Sequence, residues 1–322
     1  MVFFFFLIGL EIKREVLEGQ LSSVTQIALP AFGAAGGMAA PALIYLFFNL
    51  GDPVAVRGWA VPVATDIVLA LALLALLGER VPVSLKVFLT ALAIFDDLGT
   101  LVVIAAFYTE GLSLPSLALA TLGLAALFIL NRLRIARLTP YALTGVFVWV
   151  AVLESGVHAT LAGMLIALSI PMRASGKEVL KQLEHDLTPW VALGVVPVFA
   201  FFNAGIDLEG VTVESFLSPI SLGVALGLFI GKQLGVFTGV GIAVVSGIAR
   251  LPTGVTWPQI YGASVLTGVG FTMGLFVAGL AFVQPGLILS TNFSIIVGSS
   301  LSALLGMIVL TRSCRPNPKI AG

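Results

Sequence analysis

Long apolar runs alternate with short breaks rich in charge, proline and glycine along the whole chain. A helix that crosses a hydrocarbon core needs about 20 predominantly apolar residues. By that measure the runs predict helices over Ile27 to Phe48, Trp59 to Leu77, Val83 to Tyr108, Ser116 to Leu130, Tyr141 to Leu153, Val157 to Ile170, Pro189 to Ala204, Ile220 to Val245, Gln259 to Phe282 and Leu287 to Leu310. These read as essentially complete spans, whereas Met1 to Leu10 is too short for one. That opening run, "MVFFFFLIGL", has no basic flank and leads into "EIKRE" instead of a small-residue cleavage site. It therefore reads as the second half of a spanning helix and not as a signal peptide.

Composition points the same way. The chain is 59% hydrophobic and 10% charged, with mean hydropathy +1.12, where soluble domains are about 25% charged. The fold class expected is an all-α polytopic membrane protein, a single membrane domain over residues 1–322. Formal net charge is zero, so no electrostatic case for a nucleic-acid partner exists, and a lone cysteine, Cys314, excludes a disulfide framework or cysteine metal cluster. No phosphate loop, nucleophile elbow or zinc ligand set is present, so neither an enzyme nor a cofactor is expected. Of the sixteen lysines and arginines, all but Arg57 and Lys232 fall on the connections after odd-numbered runs or their flanks. The longest connection on the other side, "IDLEGVTVES", carries Asp207, Glu209 and Glu214 and no base. The positive-inside rule makes the basic side, and with it the C-terminus, cytoplasmic.

Two spans are interrupted, one by "VPVATDIV" around Pro62, Thr65 and Asp66, the other by "LTGVGFTMG" around Thr267, Gly268 and Gly270. Each is the middle run of three. Residues 27–108 and 220–310 are thus expected to form two three-helix units of inverted topology, and paired interruptions of this kind point to a transporter site between broken, crossing helices.

Charge inside the spans is sparse and placed with purpose. In "ALAIFDDLGTLVVIAAF", Asp96 and Asp97 together would cost about 5 to 7 kcal/mol if ionised and unpaired at the bilayer centre. Adjacent helical positions diverge by roughly 100°, so the two carboxyls face different surroundings. Asp66 suits an N-cap at the start of a half-helix. Lys232, in "LFIGKQLG", sits beyond snorkelling reach in a run with Gly223, Gly227, Gly231, Gly235 and Gly239. The four-residue spacing makes a ridge for close helix packing, while the ammonium needs a carboxylate or helix C-terminal carbonyls. His158 stands at the start of the seventh complete or partial run. It suits a hydrogen-bonded structural role, and with an ordinary pKa near 6.5 it is also a candidate pH sensor. Glu11, Glu15, Glu184 and His185 lie at cytoplasmic helix ends or loops, where such residues are usually solvated.

The blocks "FFFFLIGLEIKREVLEGQL", "VPVATDIVLALALLALLGERVP", "LKVFLTALAIFDDLG", "SGVHATLAGM", "LEHDLTPWV", "FAFFNAG", "IGKQLG" and "GVGFTMGLF" resemble, in this order, the NhaA-type bacterial Na+/H+ antiporters. The resemblance implies an electrogenic, pH-regulated secondary transporter of the bacterial inner membrane that exports Na+ or Li+ in exchange for protons and needs no cofactor. It implies that Asp97 binds Na+ or H+ in competition and that Asp96 exchanges protons or pairs with Lys232. Thr65 and Asp66 would lie at the broken helix, Asp66 balancing positive half-helix ends and Lys232 negative ones. Glu11, Glu15, His158, Glu184 and His185 would form the pH-responsive surface. Burial disfavours an ionised carboxyl and a bound cation restores it, so competition for one group couples the two ions and transport fails in acid.

Two departures from the pattern stand out. Family members begin with a further helix, a connection that contributes to dimerisation and the first half of the helix ending at "GLEIKRE". The homodimer is therefore expected of the family, with its dimerisation element outside this sequence, which is either a fragment or a start at an internal methionine. Thr188 and Glu154 also stand where relatives have a histidine and a basic residue. The competing classes are an intramembrane aspartyl hydrolase using Asp66 and Asp97, which would need no mid-membrane lysine, and a passive cation channel, which tight binding by three acids and a lysine does not suit.

Overall fold

The structure, a computed structural model, describes residues 1–19, 24–109, 111–205 and 217–314. The acidic connection Asp207 to Glu214 and the basic residues Arg315 and Lys319 lie outside them. Among the described residues the chain is helical without strands, and only an isolated antiparallel bridge joins Ala174 and Lys177. In chain order the helices are α1 (Val2–Glu18), α2 (Val24–Asn49), α3 (Pro53–Val56), α4 (Ile67–Leu76), α5 (Val83–Phe107), α6 (Leu114–Arg132), α7 (Leu138–Leu153), α8 (Thr160–Ser169), α9 (Val179–Trp190), α10 (Val196–Asn203), α11 (Pro219–Leu226), α12 (Lys232–Val245), α13 (Trp257–Leu266), α14 (Phe271–Ala281) and α15 (Pro285–Ser313).

Among the described residues, seven helical stretches are long and apolar enough to cross a membrane, eight when the bent pair α13 and α14 counts as one span. Two expected spans are shorter helices, α7 of 16 residues and α8 of 10. The apolar run at α8 includes the non-helical approach through Gly156 and His158, which hydropathy alone does not separate from the helix. The stretch expected from Pro189 begins instead at Val179 and continues through a π turn, Val191–Val195, into α10. Its first part is amphipathic and polar on one face, so an apolar-run criterion passes over it. The wide turn follows directly after Pro189, which cannot donate to the helical ladder.

The chain divides into two compact units. One comprises Met1–Ser22 and Leu101–Phe202. In it α1 lies along α8, where Gly163 lets the backbone of Val2 approach and Gly9 leaves room for Ala167. Leu10, Leu127, Tyr141, Val148, Ala162 and Leu180 fill the interior. Lys13 Nζ donates to Leu168 O at 2.7 Å and Ile170 O at 2.5 Å, which satisfies the carbonyl end of α8. The other unit comprises Ser23–Thr100 and Asn203–Gly322. Its strongest pairing is α2 with α12. Side chains added at Gly231, Gly235 and Gly239 would meet the α2 backbone at Pro41, Gly36 and Phe32, so the small-residue ridge is a backbone-to-backbone seam.

Candidate functional site in the broken-helix unit

The two interruptions are built by different local chemistry. A 3-10 stretch, Arg57–Val63, contains Pro62 and gives way to extended backbone at Ala64 and at Asp66, the latter with φ −86° and ψ 94°. The other break lies between Leu266 and Phe271, with a 44° bend. Gly270 is needed there because a Cβ would stand 2.7 Å from Ala64 O. The breaks therefore meet. Asp66 N–H donates to Val269 O at 2.7 Å, and Thr65 Oγ1 lies 2.9 Å from Thr267 O. Backbone groups that a continuous helix would pair internally are paired across the junction, as low dielectric requires.

Asp66, 1% exposed, serves both half-helices. Its Oδ1 accepts from Leu69 N–H at 3.0 Å as the N-cap of α4, and its Oδ2 accepts from Thr272 N–H at 3.0 Å and Thr272 Oγ1 at 2.6 Å in the first turn of α14. One carboxylate thus meets free N–H groups and positive dipole ends of two helices. Ser299 Oγ accepts from Gly270 N–H at 3.2 Å. Neither Thr272 nor Ser299 was singled out in the sequence. Thr272 had a usable signal, since it stands two residues beyond the glycine break, where a helix N-terminus exposes its donors.

Asp96 and Asp97 lie in the middle of α5, 0% and 1% exposed. Lys232, fully buried, opens α12 directly after a π turn, Gly227–Gly231, which adds a residue to the turn and sets the direction of the side chain. Its Nζ lies 2.5 Å from Asp96 Oδ2, and Thr65 Oγ1 lies 2.6 Å from the same oxygen. Of the partners the sequence left open for the lysine, the structure places Asp96 against it. Asp97, one position on, points away from that ion pair by about 100°. Carboxylates, hydroxyls and backbone carbonyls are the donors here, a set suited to hard cations. Among the described residues no three His, Cys, Asp or Glu side chains converge on one point.

The remaining candidates lie in the other unit. Arg14 Nε donates to Glu184 Oε1 at 3.1 Å and Oε2 at 2.8 Å, and Arg14 Nη1 lies 2.6 Å from Glu15 Oε1. Glu11, one turn earlier on α1, has its pKa pushed up to about 7, by burial first and then by Glu184 and Glu15, against the pull of Arg14. Glu18, Arg173, Glu178 and Lys181 form a second, more exposed network. His158 Nδ1 pairs with Thr160 Oγ1 at 2.8 Å, His185 is exposed on α9, and neither belongs to these ion-pair clusters. Thr188 Oγ1 bonds back to Glu184 O at 2.7 Å.

Residues 1–310 match the family described as Na+/H+ antiporter 1. Three relatives make the similarity concrete. The chain is 67% identical over 321 residues to "Na(+)/H(+) antiporter NhaA" of Maricaulis maris, covering 100% of this chain and 80% of the relative. It is 55% identical over 322 residues to "Na(+)/H(+) antiporter NhaA" of Aeromonas hydrophila, covering 98% and 81%. It is 54% identical over 316 residues to "Na(+)/H(+) antiporter NhaA 2" of Pseudomonas savastanoi pv. phaseolicola, covering 97% and 81%.

Proposed function

The chain belongs to the Na+/H+ antiporter 1 family, and from that premise we propose how its residues exchange Na+ for H+. Asp97 is the carboxyl for which the cation and the proton compete. Asp96 is held through one oxygen by Lys232 and Thr65, releases or takes up a proton as that ion pair loosens, and joins Asp97 as a ligand of the cation. Asp66 neutralises the two half-helix N-termini so that the break stays closed around an ion site. The observation that carries this reading is the junction itself: two broken helices bonded at Asp66–Val269 and Thr65–Thr267, with a fully buried Asp96–Lys232 pair against it. A water-filled channel has no use for such a buried, paired site, and a hydrolase no use for the lysine.

The cargo is Na+ or Li+ against protons, with no resident cofactor, and export of the metal ion is electrogenic. Residues 27–108 and 220–310 act as the inverted repeat units whose broken helices cross. The protein works in the bacterial inner membrane, in contact with lipid, with a cytoplasmic C-terminus and as a homodimer. Glu11, Glu15, Glu184, His158 and His185 supply the pH response. Glu11 is the sharpest of them, because with a pKa of about 7 it changes charge near neutrality beside Arg14 and Glu184.

Inverted vesicles holding the protein and an acid interior test the assignment. Na+ or Li+ added outside dissipates the gradient, and Asp97→Asn abolishes that response. Exchange by the variant at the wild-type rate would reject Asp97 as the shared site.

A further inference from the structure

We propose that Thr100 is a third ligand of the transported cation, added to Asp96 and Asp97, and that it favours Na+ over Li+; this rests on the antiport reading above. Viewed down α5 at roughly 100° per residue, Thr100 projects about 40° from Asp96 and about 60° from Asp97, between the two carboxyls. Helical Cβ atoms tilt toward the N-terminus, so its side chain leans back toward their level. Both residues lie within a turn of it, where side chains four apart have Cβ atoms about 5 to 6 Å from one another.

Its hydroxyl is not engaged elsewhere. Thr100 is 1% exposed, and among the described residues Oγ1 has no hydrogen-bond partner. The other threonine of α5 and the one just past its end bond back to the preceding turn, Thr90 Oγ1 to Lys86 O at 3.0 Å and Thr109 Oγ1 to Ala105 O at 2.7 Å. Thr100 forgoes that bond to Asp96 O. Asp96 Oδ1, the oxygen turned away from Lys232, likewise lacks a partner among the described residues and is fully buried. Two buried oxygens one turn apart, each without a hydrogen-bond partner among the described residues, are a cost in an apolar interior that a cation lying between them relieves. The hydroxyl accepts no charge change; it lends a lone pair to the ion and keeps its proton. Na+ takes more ligands than the smaller Li+, and ligand number selects between hard cations.

The test uses purified full chain in detergent, with 22Na+ binding, Li+ competition and thermal melting with and without cation. Thr100→Val keeps the shape and removes the oxygen. It should raise the half-saturating Na+ concentration roughly tenfold, the loss of one hydrogen-bond-strength contact to a charge, and the Li+ value by less. Without cation it should melt no lower than wild type, because an unpaired buried hydroxyl has been removed. Thr100→Ser should bind Na+ like wild type. Unchanged Na+ and Li+ binding in Thr100→Val, beside a wild type that binds both, would overturn the proposal and leave the antiport reading standing. Loss of binding in Thr100→Ser as well would make the residue a packing element only. A wild type that binds neither ion would overturn the antiport reading itself.

Discussion

Two clusters of acids and bases in this protein use the same side-chain chemistry under opposite conditions of hydration. In the broken-helix unit, Asp66, Asp96, Asp97 and Lys232 are no more than 1% exposed. In the other unit, Arg14 and Glu15 keep 32% and 13% of their side-chain surface, and Arg173 keeps 64%. Water reaches the second set in part, most fully around Arg173, so its ion pairs are weaker and more easily retuned by pH. Nothing screens the first, so every charge there must be paired, capped or held by an ion. Burial, more than residue type, decides whether a carboxylate serves as an ion ligand or as a titrating surface group.

The most severe break of that contrast is Lys232→Ala. It leaves the buried Asp96 with Thr65 but without its counter-charge, and breaking a buried pair in this way costs about 3 to 5 kcal/mol, read as a large fall in melting temperature. Arg14→Ala should cost about 1 kcal/mol or less. Adding Asp96→Asn to Lys232→Ala should recover most of the loss. If Lys232→Ala melts like wild type, Asp96 has taken up a proton and the pair is not what holds the junction.

Asp66→Ala comes next. It uncaps α4 and removes the acceptor for Thr272, and with each lost cap worth roughly 0.5 to 2 kcal/mol the variant should melt lower and exchange ions poorly. Asp66→Asn retains an acceptor and should be milder on stability. Equal melting of Asp66→Ala and wild type would show that the two N-termini do not depend on this carboxylate.

A smaller effect, with a sign set by pH, is expected from Glu11→Gln. The folded-state pKa of about 7 lies above the ordinary 4.5, so the folded protein binds the proton more tightly. The contribution is complete below pH about 4.5 and is lost as pH rises through about 7. Glutamine mimics the neutral form at every pH. Melting curves of the variant and wild type should therefore run together below pH about 4.5, draw apart between about 4.5 and 7, and keep a constant separation above that, with the variant the more stable. Parallel curves from pH 5 to about 9 would contradict a raised pKa. The smallest effect belongs to Lys181→Ala in the exposed network, which should leave the melting temperature unchanged at high salt.

Much of this was legible in the chain. The breaks were visible because proline, threonine, aspartate and glycine cluster within runs that are otherwise mostly apolar, and Asp66 as a cap followed from its place before "IVLALALL". The long helices were found within a few residues of their ends, because a hydrocarbon core demands length. The polar first part of that late span escaped: Val179–Trp190 satisfies its helix through one amphipathic face and so leaves no apolar run. Ser299 and Thr100 escaped because a buried hydroxyl has no signal until its neighbours are in place, whereas Thr272, two residues past the glycine break, had one.

By itself, then, the sequence determined the membrane class, most of the spans, the two interruptions and which ionisable groups would have to be buried, since these follow from hydropathy and backbone chemistry within one segment. Only the tertiary structure decided that Lys232 takes Asp96, that Asp66 serves two helices at once, and that Thr100 keeps its hydroxyl free. Each of those choices joins residues far apart in the chain or depends on what a neighbouring helix leaves unfilled. In a low-dielectric interior a partner is chosen by which group lies within about 3 Å, and no local pattern records that distance.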